Sequence, residues 1–205
     1  MPSPTTTTPP AEPGFDPLVF WIQNRSKLLL LAGLFLVALA TYAISEYVRD
    51  RRMAAATNAL ANAHTVEEYR KVTVDYSGTP PAGNAYLLLA EKLRADGKLD
   101  ESSAALHTFI DKYPEHPLVS GAWTSLAANL EAQGKVDDAL AAYQKVSTTF
   151  ANSFSAPLAL VAQARLLVQK GKPEDARRIY EQVIAQYQDN LAAQQATEEI
   201  RKLKK

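Results

Sequence analysis

Apolar residues follow helical spacing through the central part of the chain. Between Ala122 and Phe150 they recur every three or four positions, pause at the pair Gly134-Lys135, and then resume with the same spacing. Side chains spaced in this way lie on one face of an α-helix. The glycine between the two series favours a turn. The pattern therefore predicts two amphipathic helices joined by a short turn.

This helix pair recurs with a fixed period of 37 residues. The turn sequences GKLDES, GKVDDA and GKPEDA begin at Gly97, Gly134 and Gly171, and the flanking apolar positions repeat with them. A constant period of this size is the signature of stacked structural repeats. We therefore predict an all-α solenoid in which each unit consists of two antiparallel helices.

The middle unit resembles the tetratricopeptide repeat. Its first helix follows the pattern aromatic-x2-Leu-small-x2-apolar, and its second helix follows small-x3-aromatic. The matching residues are Trp123, Leu126, Ala127, Leu130, Ala139 and Tyr143. The third unit is degenerate, because Gln163 stands where the pattern has Leu and Leu160 where it has an aromatic residue. The resemblance implies a tetratricopeptide-like solenoid with Trp123, Ala127 and Tyr143 in its core.

Both ends of the repeat region are predicted to be atypical. Residues 46–63 favour a helix that continues from the preceding apolar segment. Thr65 and Glu68 then form a capping-box pattern that begins a helix over residues 66–76. The final helix has one apolar face and one face with Arg201 and Lys204, as the end of a solenoid requires. We therefore expect the repeat domain to span residues 46–205, with about four helix pairs.

An uncharged apolar segment precedes the repeats. Residues 28–45 contain no charged side chain, and their length is near the lower limit for a helix that crosses a bilayer. A cleaved signal peptide is the alternative, with Ala38-Leu39-Ala40 as its cleavage site. Glu12 and Asp16 in a long leading segment, and an apolar run that continues past Ala40, favour an uncleaved anchor. We predict a single transmembrane helix over residues 28–45, preceded by a membrane-proximal segment over residues 18–27.

The first 17 residues differ in composition from the rest of the chain. They contain six prolines and four consecutive threonines, and few apolar side chains. Such a segment buries too little apolar surface to offset the entropy lost on ordering. We therefore predict a disordered Pro/Thr-rich tail over residues 1–17.

Composition and motifs argue against several functional classes. The 22 basic residues equal the 22 acidic residues, so no concentrated basic surface favours nucleic acid, and the absence of Cys excludes a thiolate metal site. The three histidines lack metal-binding spacing, and no catalytic or phosphate-binding motif is present. The acidic pairs after each Gly-Lys turn are expected to stabilise helix N-termini. We predict a protein that is not an enzyme and that uses no cofactor, metal or small-molecule substrate.

The tetratricopeptide resemblance implies a partner-binding groove lined by residues of the first helices that are not used for packing. In this sequence those positions are Asn84, Leu87, Glu91 and Arg94 in the first unit, Gly121, Thr124, Ala128 and Glu131 in the second, and Leu158, Val161, Arg165 and Val168 in the third. The Lys/Asn clamp of the family's chaperone-tail binders is missing. The mixed, mildly apolar lining suits weak contact with exposed protein segments. The alternative is that some of these residues pack against a terminal helix.

The order of segments resembles a known bacterial family. A short tail, one membrane span, an alanine-rich helix and helical repeats are the layout of the ancillary subunits of the SecYEG translocon. That resemblance implies a single-pass inner-membrane protein with periplasmic repeats. The flanking charges do not decide the orientation, since two basic residues before the span and three after it differ by only one.

Two functions follow from these resemblances. The first is a protein-protein interaction module with a chaperone-like role, whose partners are translocon subunits, exported clients or envelope chaperones. The alternative is a scaffold for envelope or cell-division assembly, since the 37-residue period and Tyr113-Pro114 also resemble periplasmic repeat proteins of the cell-division coordinator type. Those proteins lack a membrane span.

Overall fold

A computed structural model of the protein describes residues 16–203. These residues form nine α-helices and no strands, which confirms the all-α prediction for this part of the chain. They divide into two compact units, one up to Arg51 and one from Arg52 onward. The predicted disordered tail, except for its last two residues, lies outside the described residues.

Helix α1 (Pro17–Ala61) is the element that the two units share. It begins where the Asp16 Oδ1 atom accepts a hydrogen bond from the Leu18 amide at 2.9 Å. In the first unit its large apolar side chains are exposed, and its most apolar stretch has no buried residue. The uncharged run of residues 28–45 is about 27 Å long at the helical rise, close to the thickness of a hydrocarbon layer. This helix is therefore long and apolar enough to span a membrane.

The second unit contains the end of α1 and the remaining helices, packed in chain order. Their bounds are α2 Val66–Asp75, α3 Pro80–Ala95, α4 Leu99–Lys112, α5 Val119–Ala132, α6 Val136–Thr149, α7 Ala156–Gln169, α8 Pro173–Gln186 and α9 Leu191–Leu203. Each helix from α2 to α8 contacts the next one, and α7 also contacts α9. The pairs α3–α4, α5–α6 and α7–α8 are the repeats that the sequence pattern predicts.

The Gly-Lys turns end the first helix of each pair in one common geometry. Gly97, Gly134 and Gly171 have φ angles of 76°, 75° and 71°, a region that side chains with a Cβ atom rarely adopt. The Gly97 amide donates to the Arg94 carbonyl at 3.0 Å, and the next amide donates to the Leu93 carbonyl at 2.8 Å. These bonds satisfy the last carbonyls of the helix. The turn therefore needs glycine for its backbone conformation.

The acidic pairs lie in the first turns of α4, α6 and α8, as the sequence predicts. There they interact favourably with the positive end of the helix dipole. Some also reach the neighbouring repeat. Asp137 pairs with Lys170, whose ammonium group lowers the pKa of the Asp137 carboxyl, and the Asp100 carboxylate accepts a hydrogen bond from Gln133 at 3.0 Å.

Small and aromatic side chains form the core between helices. Ala127 and Tyr143 are buried, as predicted. The expectation for Trp123 needs correction, because this side chain is only partly buried. It packs against two core clusters, and the Lys145 Nζ atom lies 4.2 Å from its ring centroid. One face of the indole is thus covered by a cation rather than by apolar atoms.

Helix α2 begins, and α9 packs, as the sequence indicates. Thr65 Oγ1 accepts a hydrogen bond from the Glu68 amide at 3.2 Å, and the Glu68 carboxylate accepts one from the Thr65 amide at 3.0 Å. This capping box fixes the start of α2. At the other end, α9 buries three alanines against α7 and α8 and exposes Arg201.

Candidate partner-binding groove

A groove of about 380 Å³ lies between α3 and α5, and we call it the α3–α5 groove. Helix α4 contributes Ser102 and Leu106 to its lining. Its lining is apolar at one end of the groove and polar at the other. Its volume is large enough for one or two side chains of an extended protein segment.

One end of the α3–α5 groove is apolar. Leu87 and Leu88 line it from α3, and Leu118 lines it from the residue before α5. Leu88 is 36% exposed and Leu118 is 40% exposed. Gly121 also lines this end. Apolar side chains left open in a concave surface favour contact with apolar groups of a partner.

The other end of the α3–α5 groove is built on a buried polar network. Asn129 is 0% exposed, and its Oδ1 atom accepts a hydrogen bond from Arg94 Nη1 at 2.7 Å. Its Nδ2 atom donates to Ser102 Oγ at 2.8 Å, and the Ser102 hydroxyl donates to the Ala90 carbonyl at 2.7 Å. The network links α3, α4 and α5, and it holds the Arg94 side chain at the groove.

A second depression of about 290 Å³, the Glu131 pocket, shares Arg94 with the groove. The Arg165 Nη2 atom donates to both carboxylate oxygens of Glu131 at 2.7 Å, and the Tyr143 hydroxyl donates to the same carboxylate at 3.3 Å. Burial, followed by the nearby Glu131 charge, raises the pKa of Tyr143 to about 12. The Glu131 and Arg165 charges of this pocket therefore pair with each other.

The structure brings seven of the twelve predicted groove residues to these two depressions. Leu87, Glu91, Arg94 and Gly121 line the α3–α5 groove, and Ala128, Glu131 and Arg165 line the Glu131 pocket. The exposed Leu158 lines neither depression. Asn84 and Thr124 line neither depression. Both are partly buried, and the Thr124 hydroxyl donates within its own helix to the Ser120 carbonyl at 2.9 Å. The single donor of this hydroxyl is therefore used within α5, and only its acceptor lone pairs remain for a partner.

Two predicted groove residues of α7 require correction. Val161 is only 6% exposed, and Val168 is partly buried. Both belong to the core cluster that contains Ala193 and Ile200 of α9. The C-terminal helix covers this part of α7, which is the alternative that the sequence left open. The open α3–α5 groove is therefore formed by the first two repeats.

Sequence reasoning missed Asn129 and Leu118. Asn129 stands 37 residues before Leu166, which is also 0% exposed, so a polar residue occupies a core position of the repeat. That contrast was the available signal, because a buried amide needs hydrogen-bond partners. Leu118 lies outside the helical part of the repeat pattern, which gave no reason to select it.

Histidine and carboxylate clusters give no second type of site. Within residues 16–203, no three His, Cys, Asp or Glu side chains lie close enough together to hold a metal ion. His116 packs edge-on against Phe109, with 5.1 Å between ring centroids, and burial lowers its pKa. Its Nδ1 atom accepts a hydrogen bond from the Leu118 amide at 3.2 Å. These contacts assign His116 to packing of the loop before α5.

Comparison with solved structures finds similar helical-repeat proteins. A kinesin light chain of Podosopora anserina with nearly identical TPR-like repeats is 20% identical, with a TM-score of 0.56 over 75% of this chain and 84% of that one. A variant of that protein is 19% identical at the same coverage and TM-score. A tetratricopeptide repeat protein from Parabacteroides merdae ATCC 43184 is 14% identical, with a TM-score of 0.56 over 76% of this chain and 59% of that one. Such identities show the fold alone.

Comparison at the level of sequence gives the family. None of the curated proteins matches the chain. The tetratricopeptide repeat-like domain matches residues 19–203, which is most of the chain, and no catalytic family is indicated. Repeats of this type mediate protein-protein interactions, and an exposed groove between first helices agrees with that role. This protein belongs to the tetratricopeptide repeat-like domain family.

Proposed function

We propose that this protein is a single-pass membrane protein that attends exported proteins at the Sec translocon, in a chaperone-like role. In this proposal, residues 28–45 span the membrane after a membrane-proximal segment of residues 18–27. Residues 46–205 form the repeat domain, which binds partners through the α3–α5 groove. The partners are translocon subunits, exported clients or envelope chaperones.

The open apolar end of the α3–α5 groove is the observation that carries the proposal. Leu87, Leu88 and Leu118 line a concave surface at which Leu88 and Leu118 are exposed. Burying such side chains against a partner is favourable by roughly 25 cal/mol per Å² of apolar surface. A groove of this size buries little area, so each contact is weak. Weak contact suits a protein that meets many partly unfolded chains.

The exposed apolar surface of α1 supports a membrane anchor. Leu29, Phe35 and Leu39 are among its large exposed side chains. A bilayer removes such a surface from water, and the uncharged run is long enough to cross it. Attachment to the membrane also raises the effective concentration of the repeats near membrane-bound partners. Weak binding then suffices for function.

The compartment and the translocon partner rest on the resemblance of segment order to the ancillary SecYEG subunits. We propose the bacterial inner membrane as the location, with the C-terminal repeat domain in the periplasm. Newly exported segments emerge there before they fold, and they expose the apolar side chains that the groove suits. The proposal therefore joins the membrane anchor and the groove in one role.

Site-specific crosslinking in intact membranes tests the function. A photoreactive amino acid replaces Leu88 in the groove or, as a matched control, His107 on the exposed face of α4. The proposal expects translocon subunits and several exported chains to be captured from position 88 and not from position 107. Capture of only one or two folded envelope or cell-division proteins would contradict it and favour the scaffold alternative.

Membrane extraction and reporter fusions test the anchor and its orientation. The protein should stay in the membrane during alkaline extraction, and a phosphatase fused after residue 205 should be active. An inactive phosphatase, together with an active cytoplasmic reporter at the same position, would overturn the periplasmic orientation. A mature N-terminus at Thr41 would show that the apolar segment is a cleaved signal peptide.

A further inference from the structure

Arg94 is a cation of the α3–α5 groove that forms no ion pair with a described residue. Its Nη1 atom donates to the neutral amide oxygen of Asn129 at 2.7 Å. Arg165, by contrast, donates to both carboxylate oxygens of Glu131 at 2.7 Å. A guanidinium group has five N–H donors, so Arg94 keeps donors for a ligand. A carboxylate is the group that these donors bind best.

The buried network orients Arg94 before a ligand arrives. The Asn129 amide is 0% exposed, and its Nδ2 atom donates to Ser102 Oγ at 2.8 Å and to Ser103 Oγ at 3.3 Å. These bonds turn the Asn129 oxygen towards Arg94. Because the arginine is already held, binding a carboxylate there costs less side-chain entropy than binding to a free arginine.

The separation of the two ends of the groove defines the spacing of a matching segment. Leu87 and Arg94 are seven positions apart on α3, which is about 10 Å along the helix axis. An extended segment in the polyproline II conformation rises about 3.1 Å per residue and has three residues per turn, so side chains three positions apart lie on the same face and about 9 Å apart. A segment that runs along α3 therefore places two side chains at these two ends when they are three positions apart.

We propose that the α3–α5 groove selects extended protein segments in which an apolar residue and an acidic residue stand three positions apart. The apolar side chain packs against Leu87, Leu88 and Leu118, and the carboxylate accepts hydrogen bonds from Arg94. This inference rests on the proposed function, because it names the chemistry of the segments that the groove binds. The segment runs in either direction along α3, so both Leu-x-x-Glu and Glu-x-x-Leu are candidates.

Glu91 provides a second test, because its charge is opposite to that of Arg94. It lines the same groove one helical turn before Arg94 and forms no ion pair within the described part of the chain. Its negative charge repels an incoming carboxylate. Glu91→Gln should therefore tighten binding of acidic peptides and leave binding of neutral peptides unchanged.

Anisotropy measurements on the full-length protein in detergent test the selection. The probes are short fluorescent peptides in a Gly/Ser background that carry Leu-x-x-Glu or Glu-x-x-Leu, and their matched Gln and Lys versions. We expect the better Glu peptide to bind about tenfold more tightly than its Gln version, since hydrogen bonds to charged groups are the stronger ones. The Lys version should bind most weakly.

Three variants locate the selection at Arg94. Arg94→Gln should abolish the preference for Glu over Gln, whereas Lys92→Gln, the same charge change on a residue of α3 that lines neither depression, should retain it. Asn129→Asp should also abolish the preference for Glu, because the new carboxylate forms an ion pair with Arg94. Circular dichroism checks that each variant is folded. If Asn129→Asp does not fold, the result for Arg94→Gln decides, because that substitution changes an exposed side chain.

The outcomes separate this inference from the proposed function. The carboxylate selection is overturned if the Glu and Gln peptides bind equally. It is also overturned if neither the Leu-x-x-Glu peptide nor the Glu-x-x-Leu peptide binds. Retention of the preference in Arg94→Gln overturns it as well. Crosslinking from position 88 decides independently whether the groove binds partners, so the proposed function can stand when the selection fails.

Discussion

The Arg165 guanidinium on α7 donates to both carboxylate oxygens of Glu131 on α5 at 2.7 Å. Tyr143 on α6 adds its hydroxyl to the same carboxylate at 3.3 Å. Three helices of two successive repeats thus meet at one acidic side chain. Because the Arg165 side chain is half exposed, the ion pair itself contributes only about 0.2–1 kcal/mol. Burial of Tyr143, followed by the nearby Glu131 charge, raises the pKa of its hydroxyl.

Alkaline pH should destabilise the repeats in a defined window. The pKa of Tyr143 is raised from 10.0 to about 12, mainly by burial, so folding favours the protonated phenol. The stability that this provides is complete below pH 10 and is lost as pH rises from 10 to about 12. Urea unfolding of the full-length protein in detergent, measured across this window, should show falling stability.

Tyr143→Phe is the control for this pH dependence. The variant lacks the ionisable group, so its stability should fall less steeply across the same window. Part of the fall should remain, because burial also raises the pKa of Tyr180 to about 12. Identical pH profiles for the two proteins would contradict the assignment to Tyr143.

Gly134→Ala should destabilise the second repeat. The φ angle of Gly134 is 75°, which a residue with a Cβ atom adopts only at a cost of about 1–2 kcal/mol. Nothing lies within 4 Å of the added Cβ, so a clash does not contribute. Urea unfolding should therefore show a loss of this size. An unchanged midpoint would show that the turn relaxes to another conformation.

Gly121→Ala should have the opposite effect. Gly121 lies inside α5, where alanine is favoured over glycine by about 1 kcal/mol. The added Cβ would lie 3.5 Å from Phe154 Cζ, an ordinary contact. Gly83→Ala is the matched comparison, because its Cβ would lie 3.3 Å from Tyr113 Cδ1 and 3.4 Å from His116 Cδ2. We expect a smaller gain, or a loss, at position 83.

Trp123→Ala should cost about 3 kcal/mol, the lower end of the range for large aromatic residues. The side chain contacts two core clusters, yet Lys145 covers one face of its ring. Lys145→Ala should cost only about 0.5–1 kcal/mol, as expected for a partly exposed cation–π contact. Urea unfolding measures both. A loss below about 1 kcal/mol for Trp123→Ala would show that its packing contributes little.

The sequence predicts the repeated helix pairs well because their boundaries are local. Gly97, Gly134 and Gly171 end the first helices through a backbone conformation that glycine favours, and the apolar spacing marks the packed faces. Thr65 and Glu68 likewise define the start of α2 through contacts only three residues apart. Features set by neighbouring residues can be inferred without knowing the tertiary structure.

The groove is harder to predict because distant residues close or open it. Val161 has the spacing of a groove residue, but α9 covers it, about 30 residues later in the chain. In the sequence alone, nothing distinguishes the surroundings of Asn129 from those of an exposed polar residue, because its partners Ser102 and Arg94 lie 27 and 35 residues away. The repeat pattern identifies candidate faces, and tertiary contacts decide which of them stay exposed.

Crosslinking with a filled groove tests the central claim most directly. A photoreactive residue at position 88 is compared in otherwise unchanged protein and in Ser125→Phe, which places a large side chain on an exposed residue of α5 that lines the α3–α5 groove. Membrane extraction and thermal unfolding confirm that both proteins are anchored and folded. The account predicts that capture of translocon subunits and exported chains falls strongly in the filled variant. Equal capture from both proteins would contradict binding through this groove.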